Sequence, residues 1–218
     1  MRRHLRLLCS ATILLAACHG GKGAEEAPAP EEYSARPLSQ LAAQRVIVTP
    51  AFGLVTTDPL GWAAQVGKPR DYLRLLDDEI ASVLADRGLK SQWVYPADLM
   101  RAMKGSPTYA VDPYTIGAGI LRNPGVASGT RIGDPLATQL RTMIALQEDV
   151  RAVIIPVELH FEKEKTGQGS AVLKVALMDG RLGDVRWIGS VRSDPAAALS
   201  RAVLTSVASH LADLITAP

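Results

Sequence analysis

Glu158, His160 and Glu162 alternate with Val157, Leu159 and Phe161 along a run rich in β-branched residues. In an extended chain this spacing puts two carboxylates and an imidazole on one strand face, a set that could hold a divalent cation or carry out acid–base work. No second histidine lies nearby, and Lys163-Glu164-Lys165 follows at once, so a solvated strand face is the simpler reading. A metal-dependent or hydrolytic enzyme using those three residues is the alternative. Gly117-Ala-Gly119-Ile-Leu-Arg122 lacks the third glycine of a dinucleotide fingerprint and follows no clear strand. Ser106, Ser128 and Ser170 lie in turn-like sequence without a suggestively placed histidine, and there is no Gly-x-Ser-x-Gly. His210 sits beside the helical stripe Leu199, Val203, Val207, Leu211 and Leu214, where an edge or core imidazole is expected. Asp77-Asp78-Glu79 reads as the solvated face of another helix. The expectation is a protein without catalytic residues, metal or cofactor.

The elements that must position these residues follow from periodicity. Val150 to Arg192 contains three apolar, β-branched runs separated by glycine-containing turns, a strand meander, and the stripe ending at Leu214 predicts a helix behind it. On the last strand Val185, Trp187 and Val191 are expected on one face, with Trp187 in the core. Upstream, Arg45 to Phe52, a nearly continuous apolar run ended by Pro50, reads as a buried strand and Ser91 to Tyr95 as a second short one. Tyr72, Leu76, Ile80, Val83 and Leu84 make one face of a helix from Asp71 to Arg87, stopped by Gly88. Pro96 to Met103, and a run opened by Asp134 through Leu136, Leu140, Met143, Ile144 and Gln147, predict two further helices. Asp58-Pro59, Asp134-Pro135 and Asp194-Pro195 each mark an expected helix start, since Asp caps free N–H groups and Pro tolerates the first turn. The order β-α-β-α-α-β-β-β-α implies an α/β fold: a mixed sheet of about five strands in three layers, with helices on both faces.

Between Ser106 and Gly133 no period holds. Structureless connections longer than about 12–15 residues are uncommon in compact domains and tend to be functional. This one carries Tyr109, Tyr114 and Ile116 among its glycines, so with Trp62 these residues are the candidate contacts for a protein partner. The other reading is a packed loop that covers one end of the sheet.

The amino terminus has a different purpose. Met1 to Ala17 combines Arg2, Arg3 and Arg6 with an apolar run too short to span a bilayer, the pattern of a secretory signal. Leu15-Ala16-Ala17-Cys18 resembles the bacterial lipobox, which implies cleavage before Cys18 and acylation of its thiol. Cys9 leaves with the signal, so no disulfide is available. Residues 18–36 are Gly, Ala, Glu and Pro with almost nothing apolar, a tether, and residues 37–218 form a single domain. Taking the three signal arginines from the 24 basic residues leaves 21 against 22 acidic ones, which argues against nucleic acid as a partner. In lipoproteins of this kind an Asp after the Cys retains the protein in the inner membrane. His19 stands there, so the resemblance implies an outer-membrane anchor facing the periplasm.

Three places in the domain resemble the envelope α/β domains exemplified by the amino-terminal domain of TolB, the curli-export lipoprotein and the lipoprotein activators of peptidoglycan synthases. Val46-Ile-Val-Thr-Pro50 is similar to their opening strand. Val150-Arg-Ala-Val-Ile-Ile-Pro156 is similar to their Ala-Asp-x-Val-Val-x-Gly strand, with Pro156 where Gly is usual. Leu177-Met-Asp179 through Gly183 to Trp187 is similar to a hairpin in which Asp and Gly make the turn. The resemblance implies a non-catalytic domain that binds an envelope protein or associates with itself. An export pore is a third reading, ranked below a binding module because Pro107, Pro113 and Pro124 break the one segment long enough for membrane strands.

Overall fold

The computed structural model describes residues 36–108 and 110–217. The signal, Cys18 and the tether up to residue 35, with Tyr109, lie outside the described residues.

Short apolar runs form β1 (Val46–Val48) and β2 (Trp93–Val94), both buried along their whole length. The longer meander forms β3 (Ala152–Lys163), β4 (Gly169–Asp179) and β5 (Asp184–Arg192). Their order is β2-β1-β3-β4-β5, with β1 parallel to both β2 and β3 and the later pairs antiparallel. The crossovers that parallel pairing demands are α1 (Pro69–Leu84), then α2 (Pro96–Gly105) and α3 (Leu136–Ala145); α4 (Arg201–Asp213) follows the meander. Gly88, at φ 85°, supplies the left-handed stop after α1.

Each sheet face is covered by its own set of apolar side chains. Leu76, Ile80 and Leu84 of α1 and Leu204, Val207 and Leu211 of α4 pack with Ile154, Leu173 and Leu177 on one face. Leu99, Leu140, Met143 and the turns around Ile116 and Leu121 pack with Ile47, Val153, Ile155 and Met178 on the other. The mixed sheet and three layers agree with the α/β class read from the sequence.

Two one-residue bulges shift which residues share a face. In β3 the register slips between Pro156 and Glu158, so Val157 packs on the α3 side whereas Leu159 and Phe161 pack on the α1 side. In β5 the slip lies opposite Leu177 and Met178, which puts Val185 on the α3 side and Trp187 and Val191 on the α1 side. Both corrections have one cause: an extra residue in one strand reverses the alternation beyond it. Trp187 is half-buried, with its indole over Gly189, where a β-carbon would come within 2.4 Å of the ring. The expected β4–β5 turn is present. Asp179 Oδ1 accepts the N–H groups of Arg181 and Leu182 at 3.0 Å, and Gly183 takes φ 74°.

Asp58 and Asp134 cap as expected, the first accepting the N–H groups of Leu60, Trp62 and Ala63 and the second that of Thr138. Asp194 does not. The helix starts only at Arg201, because residues 193–196 first run along β4, where Ala196 exchanges two 2.8 Å hydrogen bonds with Gly169.

Candidate interaction surface

The strand face first considered for chemistry is a charge network. Glu162 Oε1 lies 2.9 Å from His160 Nε2, and Arg192 on β5 bridges Glu162 to Glu164. Arg192, then His160, hold the Glu162 carboxyl below the usual range against the effect of burial. Glu158 is drawn away from this pair by Arg122, 2.7 Å distant. Among the described residues no group of three metal-ligating side chains converges. Ser170 Oγ donates to Glu164, and Ser206 Oγ donates to Asp194, so neither serine hydroxyl is directed to a histidine. His210 Nδ1 faces the Arg192 carbonyl at 2.6 Å.

Arg122 shows how the long connection is held. Its guanidinium stacks 5.2 Å from the Phe52 ring centroid and occupies the space a side chain at Gly53 would need, where a β-carbon would fall 1.7 Å from a guanidinium nitrogen. Further along, Gly129, Thr130 and Ile132 exchange hydrogen bonds of 2.7–2.8 Å with Val185 and Gly183, and Arg131 pairs with Asp184 at 2.8 Å. Gln139 of α3 accepts the Gly117 N–H at 2.7 Å. The segment is therefore fastened along its length to β3, β5 and α3. Within it Ile116, Ala118, Leu121 and Ile132 are buried against the sheet.

This places the candidate contacts individually. Ile116 is 2% exposed and belongs to the core. Trp62 is 4% exposed, in edge contact with Phe161 at 5.6 Å, and its indole lies so close over Gly169 that a β-carbon there would come within 2.5 Å. Neither side chain is available to a partner as the domain stands, because the Asp58 cap and the packed connection turn them inward. Tyr114 is 38% exposed and Ile120 is 44% exposed. Both belong to the connection read from the sequence as the candidate recognition segment. The alternation of Ile116, Ala118 and Leu121 inward with Ile120 outward follows the short helical turn Ala118–Arg122, which was not legible as a period.

Tyr114 stands on α1. The Arg74 guanidinium lies 5.5 Å from its ring centroid, within cation–π range. One helical turn on, Asp77 and Glu79 are buried, correcting the expectation that Asp77-Asp78-Glu79 is a solvated face. Asp77 Oδ1 accepts the Ala51 N–H at 2.7 Å after β1, while Oδ2 is buried without a partner. Burial pushes its carboxyl up to about 7, with Asp78 adding to the rise and the Ala51 N–H and Arg74 opposing it. Glu79 is different: its oxygens accept from Thr205 at 2.7 Å and from Arg201, which offset burial and hold the carboxyl below its ordinary range. These bonds tie α1 to α4.

No family model matches the chain, and no curated protein matches its sequence. Among solved structures it is similar to the PelC dodecamer from Paraburkholderia phytofirmans, at 12% identity over 81% of this chain and 91% of that one, TM-score 0.40. It is similar to lipoprotein GNA1162 from Neisseria meningitidis at 15% identity over 78% and 96%, TM-score 0.36. It is also similar to LpoB of E. coli at 13% identity over 90% and 83%, TM-score 0.34.

Proposed function

We propose that this chain is a non-catalytic interaction module of the cell envelope, anchored through acylated Cys18 at the periplasmic face of the outer membrane. It binds a protein partner, or further copies of itself, through the side of the domain that carries Tyr114 and Ile120. The observation that supports this most is the exposure of Tyr114 on a segment fastened to three elements, with Arg74 across its ring. An aromatic anchor held in place before binding loses little freedom on association, which is the condition under which a small contact carries substantial affinity. The charges of the former strand-face candidate tie β3 to its surroundings, Glu162 to Arg192 of β5 and Glu158 to Arg122 of the connection.

Two experiments test the two halves. For the anchor, cells are labelled with palmitate and their membranes washed in high salt. The unsubstituted protein is expected to carry label and stay in the pellet, whereas Cys18→Ser carries none and is released; labelled, retained Cys18→Ser protein sinks the anchor. For the surface, proteins crosslinked to the chain in native membranes are identified by mass spectrometry. Tyr114→Ala with Ile120→Ser is expected to lose the main crosslinked species at unchanged abundance. An unaltered crosslinking pattern would show that the partner binds elsewhere.

A further inference from the structure

Asp77 sits where α1, the end of β1 and the long connection meet. Its Oδ1 accepts the Ala51 N–H at 2.7 Å, and its Oδ2 is buried without a partner. Three residues earlier on α1, Arg74 lies 5.5 Å from the Tyr114 ring centroid and reaches Asp71 at 3.5 Å. Both charged side chains of that ion pair are largely exposed, so neither contact holds the guanidinium firmly. Side chains three apart on a helix are neighbours, which puts the cation that now covers Tyr114 within reach of the unbonded side of Asp77. The other groups around the carboxyl are Asp78 on its own helix, the Tyr114 hydroxyl from the connection and the Ala51 N–H. Asp112, beside Tyr114, is engaged in accepting the Tyr114 N–H at 2.9 Å, and Glu79 is turned to Arg201 and Thr205 of α4. Burial raises the Tyr114 hydroxyl, Asp77 adds to the rise and Arg74 opposes it, so the three side chains act on one another.

We propose that Asp77 and Arg74 form a proton-governed latch on the Tyr114 side of the domain. While the Asp77 carboxyl is protonated, Arg74 stays across the Tyr114 ring and holds it. Once the carboxylate forms, Arg74 turns from the ring to the unbonded oxygen, and the ring is released. The relative strength of the competing attractions gives this direction. A cation over a partly exposed ring and an ion pair in solvent are both weak. A buried carboxylate oxygen with nothing bonded to it carries its whole desolvation cost, and its field is little screened by salt. Burial, the largest cause, pushes the carboxyl up to about 7, so the exchange falls near neutral pH. Below that value a partner meets a Tyr114 already held in place, and above it a loosened one, which binds less well. This consequence rests on the reading of the Tyr114 side as the contact surface, whereas the latch itself is measured without a partner.

The full chain carrying Cys18→Ser is labelled with carbon-13 in its tyrosines, arginines and aspartates and followed by NMR from pH 5 to pH 9. Through-space contacts between the Arg74 side chain and the Tyr114 ring, the ring being assigned with Tyr114→Phe, are expected to be strong at pH 5 and several-fold weaker at pH 9. Their midpoint is expected to coincide with the titration of the Asp77 carboxyl carbon. In Asp77→Asn the contacts should keep their pH 5 strength throughout. Arg74→Gln takes the cation from the carboxyl, and the Asp77 titration is expected to move up by about one pH unit. Contacts that stay constant in the parent, contacts that fall equally in Asp77→Asn, or an Asp77 titration unmoved by Arg74→Gln would each overturn the latch. Such a failure leaves the crosslinking result for Tyr114→Ala with Ile120→Ser standing. An unaltered crosslinking pattern in that double variant likewise leaves the NMR result as it is, and removes only the partner from its consequence.

Discussion

Replacing Asp77 by Asn is expected to stabilise the domain at alkaline pH by up to about 4 kcal/mol, one pKa unit being worth about 1.4 kcal/mol. The reason lies in a carboxyl that is 4% exposed and pushed up to about 7, with one oxygen bonded only to the Ala51 N–H and the other to nothing. Its folded value lies above its unfolded one, so the native state binds the proton more tightly. The favourable contribution is fully present below about pH 4 and is lost as pH rises through about 7. Asn copies the protonated form at every pH and still accepts the Ala51 N–H. Melting temperatures taken from pH 4 to pH 8 should therefore fall for the parent relative to the Asp77→Asn protein, with the gap widest at the alkaline end. Glu79, Glu162 and Asp179 act in the opposite direction but elsewhere. Their carboxyls are held below the ordinary range, so the stability they supply is lost only as pH falls through those lower values. Parallel curves for the two proteins across this window would show that Asp77 is charged and satisfied in the fold.

What the sequence makes legible is what periodicity encodes. The Tyr72, Leu76, Ile80 and Leu84 stripe, the Gly88 stop and the Asp179 turn are local patterns, and each is present in the structure. Faces in β3 and β5 are legible only as far as the first bulge, since no residue type announces an extra residue that pairs with nothing. Asp77 and Glu79 look solvated because a carboxylate on a helix is ordinarily exposed. Their burial depends on Ala51 and on α4, which begins 122 residues after Glu79. Trp62 shows the same limit from the other side. Its capped turn is local and was readable, but its burial follows from Gly169 leaving room for the indole, a contact between distant segments. The surface that could bind a partner is the hardest to read, because which side chains of the connection point outward is decided by the sheet beneath it. Tyr114 and Ile116 are two residues apart and of similar hydrophobic character, yet one is exposed and the other is core.

That difference sets the result expected when residues 107–130 are replaced by a short Gly/Ser turn: the domain should lose its cooperative melt. Ile116 and Leu121 alone contribute roughly 3–6 kcal/mol by burial, at about 1.5–3 kcal/mol for each side chain. Removing them also uncovers Ile47, Val153 and Ile155, which are fully buried on that face, and leaves Glu158 without Arg122. Losses of this size approach the whole stability of an ordinary domain, about 5–15 kcal/mol. The outward side chains behave differently. Tyr114→Ala with Ile120→Ser removes no residue of the core, and exposed substitutions of this kind stay within about 0.5 kcal/mol each. A shortened domain that melts as sharply and as high as its parent would mean that the connection only lies against the sheet. A double substitution that melts far lower would mean that Tyr114 and Ile120 are buried in solution, and the surface assigned to the partner would then be part of the core.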